Sequence, residues 1–295
     1  MIKGKDEIRC VVPSGDICGE GAVWQPDESA LYWTDINRFL VHRLKPVTQA
    51  VNTWFFDEPV TSVNLTTSPD RLLLVFGSKV GLWSPGTHPH VETITQLQCA
   101  PAMRYNDARI DPLGSLWVGT MRNNVGPGGE DLDVKFGDGV LYRIDPDRTE
   151  SEWKDGVGIS NTLAWSPDQR AFYFGDSSTN IINRYDYDPV TGAISGERPF
   201  FVAYKGALDG SVIDSESFLW NTRPGAGCLV RIAPNGQVDR VVSLPVSKPT
   251  TCTFGGNDLK TLYITSARSD EQFSGSVFAL ETDVGGLPEG RFRLL

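Results

Sequence analysis

The chain has 295 residues and a formal net charge of −10 at neutral pH. This acidic balance, without a cluster of Lys and Arg, argues against a nucleic-acid-binding protein and against attachment to an anionic membrane surface. No stretch reaches the ~18–20 apolar residues of a membrane span, and residues 1–10 lack the apolar segment of a signal peptide. We therefore expect a soluble cytoplasmic protein. A length of 295 residues allows one large domain, and we assign residues 1–295 to one.

The five cysteines are odd in number, scattered, and without a Cys-x-x-Cys pair. This pattern predicts reduced thiols rather than a disulfide framework or a cysteine-based metal site.

Short runs rich in Val, Ile, Leu, Trp, Tyr and Phe follow one another along the chain, separated by Pro-Asp, Asp-Gly and Asn-Gly turn signals. No segment keeps the apolar spacing of an amphipathic helix for three turns. The pattern predicts an all-β protein built of antiparallel strands.

The strands fall into six repeats of about 41–55 residues, a period typical of four-stranded propeller blades. The openings of the six repeats align at Ala22, Leu65, Ala108, Leu163, Ser211 and Cys252. We therefore predict a six-bladed β-propeller, in which radial repetition leaves few open sheet edges. Residues 7–12 precede the first repeat and are predicted to join the blade formed by the C-terminal residues. Residues 123–135, rich in Gly, Asp and Asn, are predicted to form a loop on one face.

The first strand of a propeller blade lines the central channel, so residues at equivalent positions of the six openings should meet at one mouth. The residues two places before each opening are Glu20, Val63, Asn106, Asn161, Asp209 and Thr250. Glu20, Asn161 and Asp209 would supply two carboxylates and one amide oxygen, a set that suits hard divalent cations. A polar channel mouth filled only with water is the alternative interpretation of this pattern.

Five segments and the tail motif carry a resemblance to a known family. They are CGEGAVW at 18–24, RYNDA at 104–108, WVGTM at 117–121, ISNTLAWS at 159–166, DGS at 209–211, and KTLYITSAR at 260–268. On these residues the chain resembles the gluconolactonase/regucalcin family, also called senescence-marker-protein-like lactonases, along nearly its whole length.

The resemblance implies a six-bladed propeller with one divalent metal ion on its axis, whether calcium, zinc, magnesium, manganese or iron(II). It places the family's metal ligands on Glu20, Asn161 and Asp209, and Asp209 would also be the catalytic base. It places substrate contacts on Arg104 and Asn106, and Asn124 is a further candidate substrate contact. The implied substrate is a small sugar lactone. We expect a monomer, because a closed ring of blades leaves no long strand edge. The alternatives are a non-catalytic, calcium-binding regulatory propeller of the regucalcin type and a protein-interaction propeller whose axial metal is only structural.

Two departures from the family pattern bear on the site. Some members have Glu-Glu soon after Gly-Thr-Met, whereas Arg122 and Asn123 follow Met121 here. The substrate pocket is therefore expected to differ, and Arg122 could pair with a carboxylate on an acidic lactone. Many relatives also have Gly where Thr162 follows Asn161, which changes the turn beside a candidate ligand.

Overall fold

A computed structural model describes residues 7–202 and 204–295 as six four-stranded antiparallel sheets, one of them extended by a short parallel strand, and their architecture is the predicted six-bladed β-propeller. The strands are β1 (Ile8–Val12); β2 (Gly19–Gln25), β3 (Ala30–Asp35), β4 (Leu40–Lys45) and β5 (Ala50–Phe55) of blade 1; β6 (Val60–Thr66), β7 (Leu72–Phe76), β8 (Lys79–Trp83) and β9 (Val91–Gln96) of blade 2; β10 (Met103–Ile110), β11 (Leu116–Arg122), β12 (Gly139–Ile144) and β13 (Glu150–Val157) of blade 3; β14 (Ser160–Trp165), β15 (Ala171–Asp176), β16 (Ile181–Tyr187) and β17 (Ile194–Val202) of blade 4; β18 (Ser211–Ile213), β19 (Leu219–Arg223), β20 (Cys228–Ile232) and β21 (Val238–Ser243) of blade 5; β22 (Pro249–Gly255), β23 (Thr261–Ser266) and β24 (Val277–Glu281) of blade 6; and β25 (Arg291–Phe292). A short 3₁₀ turn, Pro85–Thr87, follows β8.

Burial falls from the channel outward within each blade. The innermost strand β6 is buried at all seven residues, whereas the outermost strand β5 of the neighbouring blade is mostly exposed. Both faces of the inner strands pack against neighbouring sheets, so these strands have apolar runs instead of strict alternation. Each fully buried Leu, Val or Phe stabilises the fold by about 1.5–3 kcal/mol.

Buried tryptophans in two blades use the same polar anchor. Trp117 Nε1 donates to Asp111 Oδ2 at 3.0 Å, and Trp220 Nε1 donates to Asp214 Oδ2 at the same distance. Each Asp also accepts backbone N–H groups of the turn that follows the inner strand. The anchor therefore satisfies the indole N–H, which burial would otherwise leave unpaired at a cost in stability.

The ring closes through the N-terminal strand, as predicted. β1 pairs antiparallel with β24, with Ile8 opposite Leu280 and Arg9 opposite Ala279. Blade 6 therefore takes its three inner strands from the C-terminal region and its outermost strand from the N-terminal region. Radial closure of this kind removes two strand edges at once.

The C-terminal segment 283–295 crosses the far end of the channel, where the inner strands end. β25 pairs in parallel with the end of β6, and Gly286 forms a bridge to Asp214 at the end of β18. Arg293 N donates to Gly114 O beyond the end of β10. This segment therefore covers one mouth of the channel and leaves the site at the other. The described residues include no helix long and apolar enough to cross a membrane.

Candidate active site

The same irregularity recurs at the start of five inner strands. Register shifts lie between Glu20 and Val23 in β2, Val60 and Ser62 in β6, Tyr105 and Ala108 in β10, Asn161 and Leu163 in β14, and Pro249 and Cys252 in β22. A bulge bends a strand and changes the direction of a side chain. Here it occurs at the positions that the repeat predicts at the channel mouth.

The pairing of β6 corrects the sequence alignment of blade 2. Leu65 pairs with Leu72, as Trp24 pairs with Leu31 in blade 1, so the repeat opens at Val63 and not at Leu65. The ring position of this blade is therefore Thr61, and the prediction of Val63 was wrong. The sequence signal misled because Pro69-Asp70 lies two residues later in the turn after β6 than the Pro-Asp pairs of blades 1 and 4 do in their turns, so an alignment made on that pair is shifted by two residues. With Thr61 in place, all six ring positions are polar.

Hydrogen bonds connect the ring from blade to blade. They run from Thr61 Oγ1 to Asn106 O (2.9 Å), from Asn106 Nδ2 to Asn161 Oδ1 (3.2 Å), from Thr162 Oγ1 to Asp209 O (2.6 Å), from Gly210 N to Thr250 O (2.8 Å), and from Thr250 Oγ1 to Gly19 O. Residues that are far apart in sequence thus meet at one end of the channel. Five of the six blade junctions are closed in this way.

The amide of Asn161 has a defined orientation. Its Nδ2 donates to Ser177 Oγ at 2.8 Å, and Ser177 Oγ in turn donates to the carbonyl of Leu208 at 2.7 Å. Its Oδ1 accepts one bond, from Asn106 Nδ2, and keeps a second lone pair. Asn161 is 7% exposed, so this oxygen is available only toward the channel mouth.

Arg104 and Asn106 form a buried polar pair beside Asn161. Arg104 Nη1 donates to Asn106 Oδ1 at 2.5 Å, and Arg104 Nε donates to Asn124 Oδ1 at 2.9 Å. Arg104 is 6% exposed, and burial lowers its pKa to about 10, so the guanidinium stays charged at neutral pH. The Nη2 group makes no hydrogen bond to the part of the chain that the structure describes. The structure therefore brings the three predicted substrate contacts together.

Glu20 and Asp209 are acidic groups that are partly accessible at the mouth and otherwise surrounded by protein. Burial, then the charge of Asp107, raises the pKa of Glu20 to about 8. Burial, then the charge of Glu20, holds the pKa of Asp209 well above its usual range. These directions mean that the two groups repel each other strongly when both are ionised.

The donor set fits a divalent cation. Two carboxylates that repel each other and one oriented amide oxygen are hard oxygen ligands, and a cation among them would offset both the repulsion and the desolvation. Within residues 7–202 and 204–295, no three His, Cys, Asp or Glu side chains form a metal-binding group. The candidate site is not such a group, because its third oxygen ligand is the amide of Asn161, which is not one of these four residue types.

Arg122 is outside this cluster of bonds. It forms an exposed ion pair with Asp138, the residue just before β12, across the base of the loop that follows β11. The loop includes the predicted residues 123–135. Asn37 holds it in place, because Asn37 Nδ2 donates to Gly129 O and Asp131 Oδ1 at 2.9 Å each. An acidic substrate would have to compete with Asp138 for Arg122.

Sequence reasoning missed the roles of Asp107 and Ser177. Asp107 follows Asn106 and lies deeper in the channel, where burial raises its pKa to about 6. The repeat alignment included Asp107 but gave no reason to treat it as more than a neighbour of Asn106. Ser177 comes from the turn after β15, and no periodic pattern marks it. Only the three-dimensional contact with Asn161 identifies it.

The six blades and the hard oxygen donors at one mouth define the class of protein. It is a propeller with a candidate cation site on its axis. Residues 18–268 match the family model described as SMP-30/Gluconolactonase/LRE-like region, and the chain belongs to this family. The chain is 34% identical to pentonolactonase XacC of Haloferax volcanii, over 95% of this chain and 96% of that protein. It is 32% identical to 6-deoxy-6-sulfogluconolactonase of Pseudomonas putida, over 97% and 99% of the two chains. The crystal structure of a calcium-binding protein, regucalcin, from Agrobacterium tumefaciens superposes with a TM-score of 0.91 at 25% identity, covering 98% of both chains.

Proposed function

We propose that this protein is a metal-dependent sugar lactonase, which opens an aldonolactone to the corresponding sugar acid. The observation that carries the proposal is the bonded pair of Arg104 and Asn106 beside the oxygen donors of Asn161, Glu20 and Asp209. A site that only bound a metal would have no need for a buried guanidinium. The relatives named for lactone hydrolysis support the same chemistry.

Glu20, Asn161 and Asp209 would hold one divalent cation. When bound, such an ion supplies Lewis acidity toward an ester carbonyl and lowers the pKa of water. Calcium, zinc, magnesium, manganese and iron(II) are the candidates, because cation choice depends on geometry and availability as well as on ligand type.

A sugar lactone is a cyclic ester, so its hydrolysis adds water to the carbonyl carbon and breaks the bond to the ring oxygen. Asp209 accepts the proton of the attacking water at its carboxylate and can return it to the ring oxygen as that bond breaks. Arg104 donates through Nη2 to the carbonyl oxygen, on which negative charge develops. Asn106, fixed by Arg104 and Ser160 O, orients the substrate hydroxyls.

We infer that neutral aldonolactones are the preferred substrates, because Arg122 is already paired with Asp138. Xylono-, arabinono-, galactono- and gluconolactone form the first panel, and a sulfonated gluconolactone tests the anionic class. The decisive assay follows acid release from each lactone by metal-stripped protein, before and after addition of each candidate cation.

Metal-dependent turnover of one lactone well above the uncatalysed rate would support the proposal and identify the substrate. Tight cation binding without turnover of any lactone would instead favour the calcium-binding regulatory propeller. The structural similarity to the calcium-binding regucalcin makes that outcome the specific alternative.

A further inference from the structure

Thr162 has a backbone conformation that its side chain disfavours. Its φ is +57°, in the left-handed region. Of the nine described non-glycine residues with positive φ, it is the only one inside a strand and the only β-branched one; the others lie in the connections between strands. A β-branched residue in this region is an outlier that surrounding contacts must stabilise.

The equivalent residue of blade 1 has the same conformation, whereas the equivalent residues of the other four blades have no positive φ. Gly21 has φ +56°, and a Cβ there would lie 2.6 Å from the Cα of Ser62. Blade 4 uses Thr at the same point of the bulge. Gly175 on the paired strand leaves space for it, since a Cβ on Gly175 would lie 3.0 Å from the Cβ of Thr162.

The Thr162 hydroxyl connects two blades. Its Oγ1 donates to Asp209 O at 2.6 Å, lies 2.9 Å from Ser211 Oγ, and accepts from Asn221 Nδ2 at 3.3 Å. The side chain is fully buried, so no water can replace these bonds when they are lost.

Asp209 depends on these bonds because it lies outside the regular ladder. β18 begins only at Ser211, and Asp209 N bonds to Thr222 O at 3.2 Å. Its carbonyl is held by Thr162 Oγ1 and by Asn221 Nδ2, the latter at 2.9 Å. Thr162 also follows Asn161 directly. One side chain therefore touches the backbone segments that carry two of the candidate ligands.

We propose that Thr162 is a positioning residue, whose left-handed backbone is retained because its hydroxyl fixes Asp209 relative to Asn161 and so sets the geometry of the cation site. This inference rests on the proposed metal-dependent function. It predicts that the left-handed backbone of Thr162 raises the affinity for the metal ion and does not raise the stability of the metal-free fold.

The test compares four metal-stripped proteins, namely wild type, Thr162→Gly, Thr162→Ser and Gln169→Gly. Gln169 is the matched control, because it has φ +56° in the exposed turn after the same strand β14. Mn²⁺ affinity is measured by titration calorimetry, and urea unfolding is followed in the presence of chelator. Lactone turnover is measured on the wild type.

We expect Thr162→Gly to lose about 10–100-fold in Mn²⁺ affinity, the usual effect of removing a group that orients a metal ligand. Its metal-free form should be no less stable than wild type, since relief of the left-handed strain offsets the lost hydrogen bonds. Thr162→Ser should keep most of the affinity through its hydroxyl, and Gln169→Gly should bind Mn²⁺ like wild type.

Wild-type affinity in Thr162→Gly would overturn the inference, as would equal losses in the Gly and Ser variants or a loss matched by an equal loss of metal-free stability. Wild-type protein that binds no cation would overturn the proposed function and this inference together. Wild-type protein that binds Mn²⁺ but hydrolyses no lactone would overturn the proposed activity alone, and the variant affinities would still decide the role of Thr162.

Discussion

Each inner strand begins at one mouth of the channel and ends near the other, and the charged groups at the two mouths have different surroundings. At the far mouth, Glu289 of the C-terminal segment accepts a hydrogen bond from Thr253 Oγ1 at 3.0 Å and lies 3.5 Å from Arg109 Nη1. At the near mouth, no Lys or Arg side chain of the described residues is bonded to Glu20 or Asp209, and burial raises both pKa values. The far mouth is balanced by a direct ion pair, whereas at the near mouth the charge of Arg104 lowers the pKa of Glu20 but does not offset its burial, so an added cation would be stabilising there.

This difference indicates that the far mouth serves the stability of the fold and the near mouth serves function, although the same six blades form both. Buried acidic groups without a bonded cation cost free energy, and such groups concentrate at functional sites. The near mouth also contains the strained Thr162 and the buried Arg104, two more features that a purely structural channel would lack. Substitutions at the near mouth should therefore change activity, and substitutions at the far mouth should change stability.

The largest expected effect is that of Asp209→Ala. Loss of the proposed base alone should lower kcat by about 10²–10⁴-fold, and loss of a candidate ligand should lower turnover further. The metal-free fold should remain intact, because the variant removes a charge that repels Glu20. Steady-state hydrolysis with saturating cation, together with circular dichroism, checks this. A variant that retained most of the wild-type rate would exclude Asp209 as the base.

A smaller effect is expected for Arg104→Lys. Lysine keeps the charge but cannot reach Asn106, Asn124 and the substrate at once, because it lacks the planar fork of arginine. We expect kcat/KM to fall by about 10–100-fold, less than the roughly 10²–10³-fold usual for loss of one donor to a developing oxyanion, because lysine keeps the positive charge. Cation affinity should stay close to that of wild type, since Arg104 is not a ligand. Calorimetric titration of the variant is the control, and a parallel loss of cation affinity would contradict the assigned role.

The sequence was sufficient for the fold and for most of the near mouth. Turn signals and repeat spacing predicted six blades. Alignment of the residues two places before each repeat opening located Glu20, Asn106, Asn161 and Asp209. It failed at Thr61, because Pro69-Asp70 lies two residues later in its turn than the pairs of blades 1 and 4, and an alignment on that pair differs from the register that strand pairing sets. It also gave no signal for the far mouth. The contact of Glu289 with Arg109 joins residues 180 positions apart, and no repeat relates them.

The smallest effect on activity is expected at that far mouth, for Glu289→Ala. The substitution leaves Arg109 and the Thr253 hydroxyl without their partner in a channel where the two ion-pair side chains are 17% and 11% exposed. An unpaired buried polar group costs about 1–3 kcal/mol, so the free energy of unfolding should fall by about that amount. Glu289→Gln, which keeps an acceptor for Thr253, should lose less. Urea unfolding measures both, and lactone turnover with saturating cation should match wild type. If turnover fell as steeply as stability, the two mouths would be coupled through the channel, and Asp107 and Arg109, which both line it, would be the connection to examine.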